Sequence, residues 1–411
     1  MNYLKKSIFF SCILLNSQFS AKKALVMVPV ADVIGNPIAT FNLAPTATQA
    51  YNTFSISGGP GNSSLECPRI HQLLFNETVD IMSEQGDEVA IHITSAYFIT
   101  HNNHKPQTLY WTLKENLISY QKLQRKNLPL SHIPPTVDFT KRDNQKSAHI
   151  IGLLQPFYDT TTQQTFSAGT QFVYDPEKST SDYFLVYIFK SATTAFTTNF
   201  IPRSAAIIIK SQDQNSAIPL FIQILKRWAQ PESGAIAYVW GGCSYCHTCN
   251  PTAIEKKAGL DSNQLYHRPH YCSSPYCGFD CAGLILHAAQ LAGIPYFYKN
   301  SYTIAHSLKA VSTSSNLHEG DIIWIPGHVM VISSLHPALL IEARGYPHGY
   351  GIVHEIALEK VFKGIKNYAQ LMHALNKQKP LIRLDKKGQE MEKIKRFKVL
   401  SLPSVWDQEN I

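Results

Sequence analysis

The stretch Gly278-Phe279-Asp280-Cys281-Ala282-Gly283-Leu284 puts a cysteine directly after an aspartate, where an apolar helical pattern begins. Leu284, Ile285, Ala288, Leu291 and Ala292 continue that pattern at helical spacing. Asp280 is suited to cap the helix at its start and Gly293 to end it, and Pro295 stops any continuation. The spacing predicts Cys281 in the first turn of a buried helix. There, unpaired N–H groups and the helix dipole favour a thiolate, the nucleophilic form of cysteine. A lone cysteine at such a place is more often a small core residue, so the case for chemistry rests on the rest of the chain.

Downstream of the helix the period changes to that of strands. Gly320-Asp321 turns into Ile322 to Ile325, Gly327-His328 leads a strand to Ile332, and Ala338 to Ala343 forms another. Nucleophilic catalysis by cysteine needs a base and a group that fixes the imidazole. His328 is the candidate base, because its strand neighbours are apolar and hold it on a rigid element. Glu342 is the candidate orienting group, since a glutamate within LLIEA is costly unless paired. A hairpin that sets 328 opposite 342 leaves Ser333 to Pro337 as its loop, and opposed residues share a face. His287 lies on the helix; His306, His318, His336, His348 and His354 lie near loops and read as structural or solvated.

Upstream, Leu220, Ile224, Leu225 and Trp228 define a helix over Ile218 to Gln230. Tyr238-Val239-Trp240-Gly241-Gly242 reads as a strand and turn. Helix followed by antiparallel strands makes residues 215–370 an α+β unit. Before it the chain is short strands. Residues 25–126 include the strands Leu25 to Val30, Thr78 to Met82, Val89 to Ile93 and Tyr110 to Leu113, with a turn at Glu84 to Asp87 and a loop at Ser57 to Asn62. A Pro- and Ser-rich linker spans Asn127 to Pro135. Residues 136–212 carry strands at His149 to Leu154, Gln171 to Tyr174, Tyr183 to Phe189 and Ala205 to Lys210, with a polar loop over 160–170. Two small all-β barrels are expected, followed by the α+β unit. Residues 371–411 read as a basic tail, with Lys386, Lys387, Lys393, Lys395, Arg396 and Lys398 on a solvated face.

At 411 residues the chain is long enough for two or three cores, and 44% apolar with 16% charged residues is ordinary globular composition. A net charge of +8 suits an anionic polymer or membrane surface, yet no basic helix or nucleic-acid motif is present. Lys5, Lys6 and the apolar run Ser7 to Leu15 read as an export signal over residues 1–24, too short to span a bilayer. No later stretch is apolar for long enough to be a transmembrane helix. The expected location is the periplasm or cell envelope. Of eight cysteines, Cys12 falls in that leader, and the odd remainder points to one unpaired thiol, assigned to Cys281. Asn62 and Asn76 match the glycosylation pattern, which arises often by chance.

Five ordered blocks, Tyr238 to Gly242, Phe279 to Gly283, Gly320-Asp321, Gly327 to Val329 and Ile341 to Ala343, make residues 218–363 similar to the NlpC-type, papain-like cysteine peptidases of bacterial cell walls. Asn76 to Asp80 and Gly86 to Val89 resemble strands of the bacterial SH3-like domains that precede such units. The resemblance implies Cys281 as nucleophile, His328 as base and Glu342 in the third position, where that family often has histidine. It implies Tyr238 near the oxyanion, and Trp240 and Asp280 lining the substrate pocket. Ala282 stands where serine is usual, which keeps a backbone N–H for the oxyanion. Glu77 and Tyr110 fall where the first barrel would read a free amine, although a surface charge and a core aromatic explain them as well. The implied reaction is hydrolysis of the γ-D-glutamyl bond to meso-diaminopimelate in peptidoglycan stem peptides.

The segment Cys243 to Cys277 departs from that pattern. Cys243, Cys246, Cys249, Cys272 and Cys277, with His247, His267 and His270, have spacings open to a structural zinc. Export favours disulfides instead, with Cys67 as a sixth partner. No cofactor is expected for the reaction. Two other readings stand beside the peptidase: an inactive wall-binding protein that keeps the fold, and a cysteine amidase or acyltransferase on a non-wall substrate. The sequence says nothing of oligomeric state.

Overall fold

The computed structural model describes residues 21–41, 46–52, 54, 67–100, 104–135, 149–249, 276–345 and 349–407. The leader with Cys12, the Ser57 to Asn62 loop, Asn62, His267, His270, Cys272 and His348 lie outside the described residues.

Seven strands form the first sheet: β1 (Lys22–Val26), β2 (Val30–Ile34), β3 (Arg69–Leu74), β4 (Thr78–Gln85), β5 (Glu88–His92), β6 (Tyr110–Leu113) and β7 (Leu117–Ser119). They pair in the order β3-β2-β6-β5-β4-β1-β7. The apolar run from Leu25 to Val30 thus spans the end of β1 and the start of β2. The second sheet follows β8 (Ile150–Leu153) and a small hairpin of β9 (Phe157–Asp159) and β10 (Gln164–Phe166). It adds β11 (Gln171–Asp175), β12 (Tyr183–Lys190), β13 (Ala195–Pro202) and β14 (Ala206–Ile208), in the order β13-β12-β11-β8-β14. Strand β13 was not expected, because Thr197, Thr198 and Asn199 interrupt its apolar residues, and its exposed positions are Thr198 and Phe200. Among the described residues neither sheet closes on itself, so two antiparallel sheets stand where two closed barrels were expected. The expected linker packs on the second sheet, with the His132 ring stacked 3.6 Å from that of Tyr187.

The helix Gln214–Ala229 opens the α+β unit, capped by Asp213. Its Trp228 ring stacks 4.9 Å from Phe279, two residues before Cys281. The Trp228 indole N–H donates to the Leu154 carbonyl, which ties the second sheet to this helix. A second helix, Cys281–Leu291, begins at the cysteine, and its N-cap Asp280 accepts the Gly283 N–H at 2.6 Å. Beneath both helices lies an antiparallel sheet of β15 (Ile322–Ile325), β16 (His328–Ser334), β17 (Leu339–Ala343), β18 (Val353–Ala357) and β21 (Lys398–Leu400), ordered β18-β17-β16-β15-β21. Val331 and Ile341 face the helices, whereas Met330, Ile332 and Leu340 face a separate core. That second core is built from the helix Tyr368–Asn376, with β19 (Leu381–Leu384) and β20 (Glu390–Ile394). The basic C-terminal segment is therefore folded: it supplies an edge strand and covers one sheet face. Among the described residues no helix is long and apolar enough to cross a membrane.

The segment Tyr238 to Tyr245 is where all three units meet. The Arg69 guanidinium donates to the Trp240 carbonyl at 3.0 Å, and Gln72 takes the Cys243 N–H at 3.0 Å. Ala168 donates to Tyr245 from the second sheet, and Phe279 pairs with both Tyr238 and Cys243. Space here is tight. A Cβ on Gly283 would sit 2.2 Å from the Gly242 carbonyl oxygen and 2.7 Å from Cys243 Sγ. Gly283→Ala is expected to destabilise the protein by about 2–3 kcal/mol through this backbone clash, read from the urea midpoint. A loss below about 0.5 kcal/mol would contradict the packing described.

Candidate active site

Cys281 occupies the first helical position and is partly exposed. Its Sγ accepts the N–H of Val329, the residue after His328. Asp280 does more than cap the helix. Its second carboxylate oxygen is ion-paired with Lys299, whose side chain is 2% exposed. Burial pushes the Cys281 thiol up to about 12, Asp280 adds to this, and the Val329 N–H and Lys299 only partly offset it. The resting cysteine is a neutral thiol, contrary to the thiolate expected from the helix dipole. Loss of hydration and the adjacent carboxylate outweigh the dipole.

His328 leads β16 and is 8% exposed. Its Nε2 lies 2.7 Å from Glu342 Oε2 on β17. The register differs from the simple hairpin. Val331 pairs with Ile341 and Ile332 with Leu340, and a bulge follows before Ser334 pairs with Leu339. Continuing that register sets Met330 against Glu342 and His328 against Arg344. The two-residue shift preserves faces, because strand side chains alternate with period two. His328 and Glu342 therefore meet diagonally rather than directly opposed.

Glu342 is 2% exposed. Burial alone would raise its carboxyl, but Arg383 and hydrogen bonds from His328 and His354 overcome this and hold it well below the usual range. Arg383, from β19, reaches both carboxylate oxygens at 2.7 and 2.6 Å, and His354 Nε2 lies 3.3 Å from Oε1. An ionised carboxylate only accepts, so His328 Nε2 carries the proton and Nδ1 the lone pair. Burial lowers His328 to about 4 against the pull of Glu342. The imidazole is thus a neutral base through the physiological range. Among the described residues no hydrogen bond joins Cys281 to His328; the thiol contacts that strand at Val329.

The remaining expected site residues separate into two groups. Tyr238 pairs with Phe279 and donates its N–H to Gly351 at 2.8 Å, and its hydroxyl lies within electrostatic range of Arg344. Trp240 packs toward the first sheet, against the cluster of Ile34, Tyr51, Phe54 and Leu113. Glu77 is half-buried and faces the second sheet. It accepts from the Leu74 N–H and the Ser95 hydroxyl, burial pushes it up to about 7, and it lines a cavity of about 30 Å³ with Gly169 and His287. His287 is six residues along the helix from Cys281, or about 9 Å of helix rise. Tyr110 is 3% exposed in the main core, where burial raises its phenol. Among the described residues no hydrogen bond joins either of the two to Cys281. Asn76 is also buried, its side-chain amide donating to the Gln171 carbonyl, so it is no surface acceptor.

The cysteine-rich segment divides as well. Cys243 Sγ lies 3.2 Å from His71 Nδ1, and Cys249 Sγ donates to the Ala235 carbonyl at 3.2 Å. Cys67 and Cys277 both lie within electrostatic range of Arg69. Among the described residues no disulfide joins two cysteines, and no three His, Cys, Asp or Glu side chains gather as metal ligands.

Arg383, His354 and Lys299 were not singled out from the sequence. Arg383 did leave a signal: an arginine inside Leu381-Ile382-Arg383-Leu384 repeats the logic that marked Glu342.

No family model matches the chain, and no curated protein matches it. Among solved structures it is similar to an NlpC/P60 family protein from Bacillus cereus ATCC 10987, at 13% identity and a TM-score of 0.45 over 81% of this chain and 93% of that one. It is similar to NlpC2 from Trichomonas vaginalis at 11% identity and a TM-score of 0.30, over 82% and 93%. For NlpC1 from the same organism the values are 10% and 0.30, over 83% and 89%. Likenesses this distant carry no argument about chemistry.

Two outcomes follow from the geometry. Arg383→Met leaves a buried carboxylate without its cation and is expected to cost about 3–5 kcal/mol in urea unfolding, with much of it recovered in Glu342→Gln/Arg383→Met. A single-variant loss below about 1 kcal/mol would show that the pair is not structural. Alkylation of Cys281 by iodoacetamide should climb about tenfold per pH unit from pH 7 to 9, because the thiolate fraction rises that steeply below the thiol pKa. A plateau already reached by pH 7 would reveal a thiolate–imidazolium pair instead.

Proposed function

We propose that this protein is a cysteine peptidase acting on peptidoglycan stem peptides, at the D-γ-glutamyl to meso-diaminopimelate bond. The observation that carries the reading is the Cys281 thiol against the strand of His328, whose imidazole is oriented by the buried Glu342. His328 Nδ1 takes the thiol proton as sulfur attacks the amide carbonyl, and Glu342 stabilises the imidazolium. That proton then passes to the leaving amine. Water attacks the thioester with His328 again as base, which releases the acid and restores the thiol. The Ala282 N–H and Tyr238 are assigned to the developing oxyanion. The reaction calls for no cofactor. The cysteine-rich segment takes a structural role. The two β sheets are assigned as SH3-like modules that present the wall, and the site of action as the cell envelope.

The missing Cys281–His328 bond and the raised thiol favour one competing reading, an inactive wall-binding protein. Catalytic hydrogen bonds often tighten only once substrate is bound, so the geometry is compatible with either. Incubation with L-Ala-γ-D-Glu-diaminopimelate should release diaminopimelate from wild type and lose it by at least about 10³-fold in Cys281→Ala. Binding of the peptide without release by wild type would establish the inactive reading.

A further inference from the structure

Around His328 the charges do not balance. Glu342 is the buried anion of this region, and it is already shared by Arg383, His328 and His354. A second cation, Arg344, follows β17 two residues after Glu342 and therefore on the same face. Continued past the last paired residues, the β16–β17 register brings it beside His328, within electrostatic range of the imidazole. Its backbone carbonyl accepts the Gly351 N–H, and its aliphatic stem packs over Gly349, where an added Cβ would meet it at 3.0 Å. Its Nη1 is buried and has no hydrogen-bond partner. Burial, then the neighbouring Arg383, lowers this guanidinium to about 10, with attraction from Glu342 and the exposed Glu392 too weak to restore it. A buried guanidinium, Arg383, and a half-buried one, Arg344, on one buried carboxylate leave an excess positive charge and an unmet donor beside His328. Such a donor is costly to bury unless an acceptor fills it.

Two other anion-binding possibilities in this region are closed. Lys299 is occupied by Asp280, and Arg383 by Glu342. For the same reason Asp280 has no charge left to offer a substrate amine.

We propose that Arg344 binds a carboxylate of the substrate on the leaving-group side, attached to the carbon that bears the scissile nitrogen. The side is argued from position. His328 hands its proton to the leaving amine, so groups bonded next to that nitrogen come to the residue beside His328. A planar guanidinium matches a carboxylate in two parallel hydrogen bonds, which a neutral amide at the same carbon does not reproduce. The inference rests on the peptidase reading for its substrate, and adds to it that the diamino acid must present a free α-carboxylate. Chain extension at that carboxyl turns it into an amide, so the tripeptide should be cleaved and the tetrapeptide disfavoured.

The test compares tripeptide and tetrapeptide with the full-length protein and with Arg344→Gln and Arg344→Lys. Wild type is expected to favour the tripeptide by at least about tenfold in kcat/KM. Arg344→Gln should erase that preference mainly through KM, and Arg344→Lys should keep part of it. A preference that survives in Arg344→Gln, or is absent in wild type, overturns the proposal. Cleavage of neither peptide would sink the peptidase reading instead, and the anion site is then read directly. The ratio of Cys281 alkylation by iodoacetate to that by iodoacetamide should fall by at least about fivefold in Arg344→Gln, and an unchanged ratio overturns it. Thermal unfolding of each variant near the wild-type midpoint separates loss of the anion site from loss of the fold.

Discussion

The carboxylate of Glu342 is the constraint on which the site depends. A buried charge is tolerated only where it is paired and fully hydrogen-bonded. Meeting that demand brings three distant parts of the chain together: His328 from the adjacent strand, His354 from the next, and Arg383 from the C-terminal hairpin. The same pairing fixes the imidazole tautomer and its orientation. The proposed chemistry and the stability are therefore coupled, since the group that orients the His328 imidazole is also the one whose isolation would be most costly.

A second organising element is the segment from Tyr238 to Tyr245. It is too irregular to pair along its length, so side chains and isolated bridges hold it. Arg69 and Gln72 reach it from the first sheet, Ser167 and Ala168 from the second, and Phe279 from the helix. Arg69 is itself secured by Asp32 at 2.7 Å in the interior. The two β sheets thus brace the loop that positions Tyr238 and the start of the Cys281 helix. Beneath that start lies a polar interior of His71, Cys243, Asp280 and Lys299, in which Lys299 is tied to Asp280, so the thiol finds too little electrostatic help to ionise.

Much of the α+β unit was legible. The helix at Cys281 was marked by its cap, its apolar spacing and its terminating Gly293 and Pro295. Ile322–Ile325 and the strands of His328 and Glu342 were marked by alternation and by the cost of a glutamate among apolar neighbours. The hairpin register was misplaced by two residues because a bulge beside the loop absorbs chain that a regular hairpin would pair. The faces survived that error, because a shift by two returns every side chain to its own side. Glu77 and Tyr110 were harder. Glu77 lies in the turn before β4 and Tyr110 opens β6, and which way each side chain turns depends on what packs against it, here the second sheet for Glu77 and the main core for Tyr110.

The sequence by itself determined the local elements and the two chemically exceptional residues among apolar ones, His328 and Glu342, because periodicity, capping and the cost of buried charge act over short distances. Only the tertiary structure decided which partners satisfy them. Arg383 reaches Glu342 across 41 residues, and Lys299 reaches Asp280 across 19. Such long-range pairings depend on how sheets and hairpins pack, and no local pattern encodes them. The protonation state of Cys281 belongs to the same class. The helix start argues for a thiolate, and the burial that the whole fold imposes makes it a thiol.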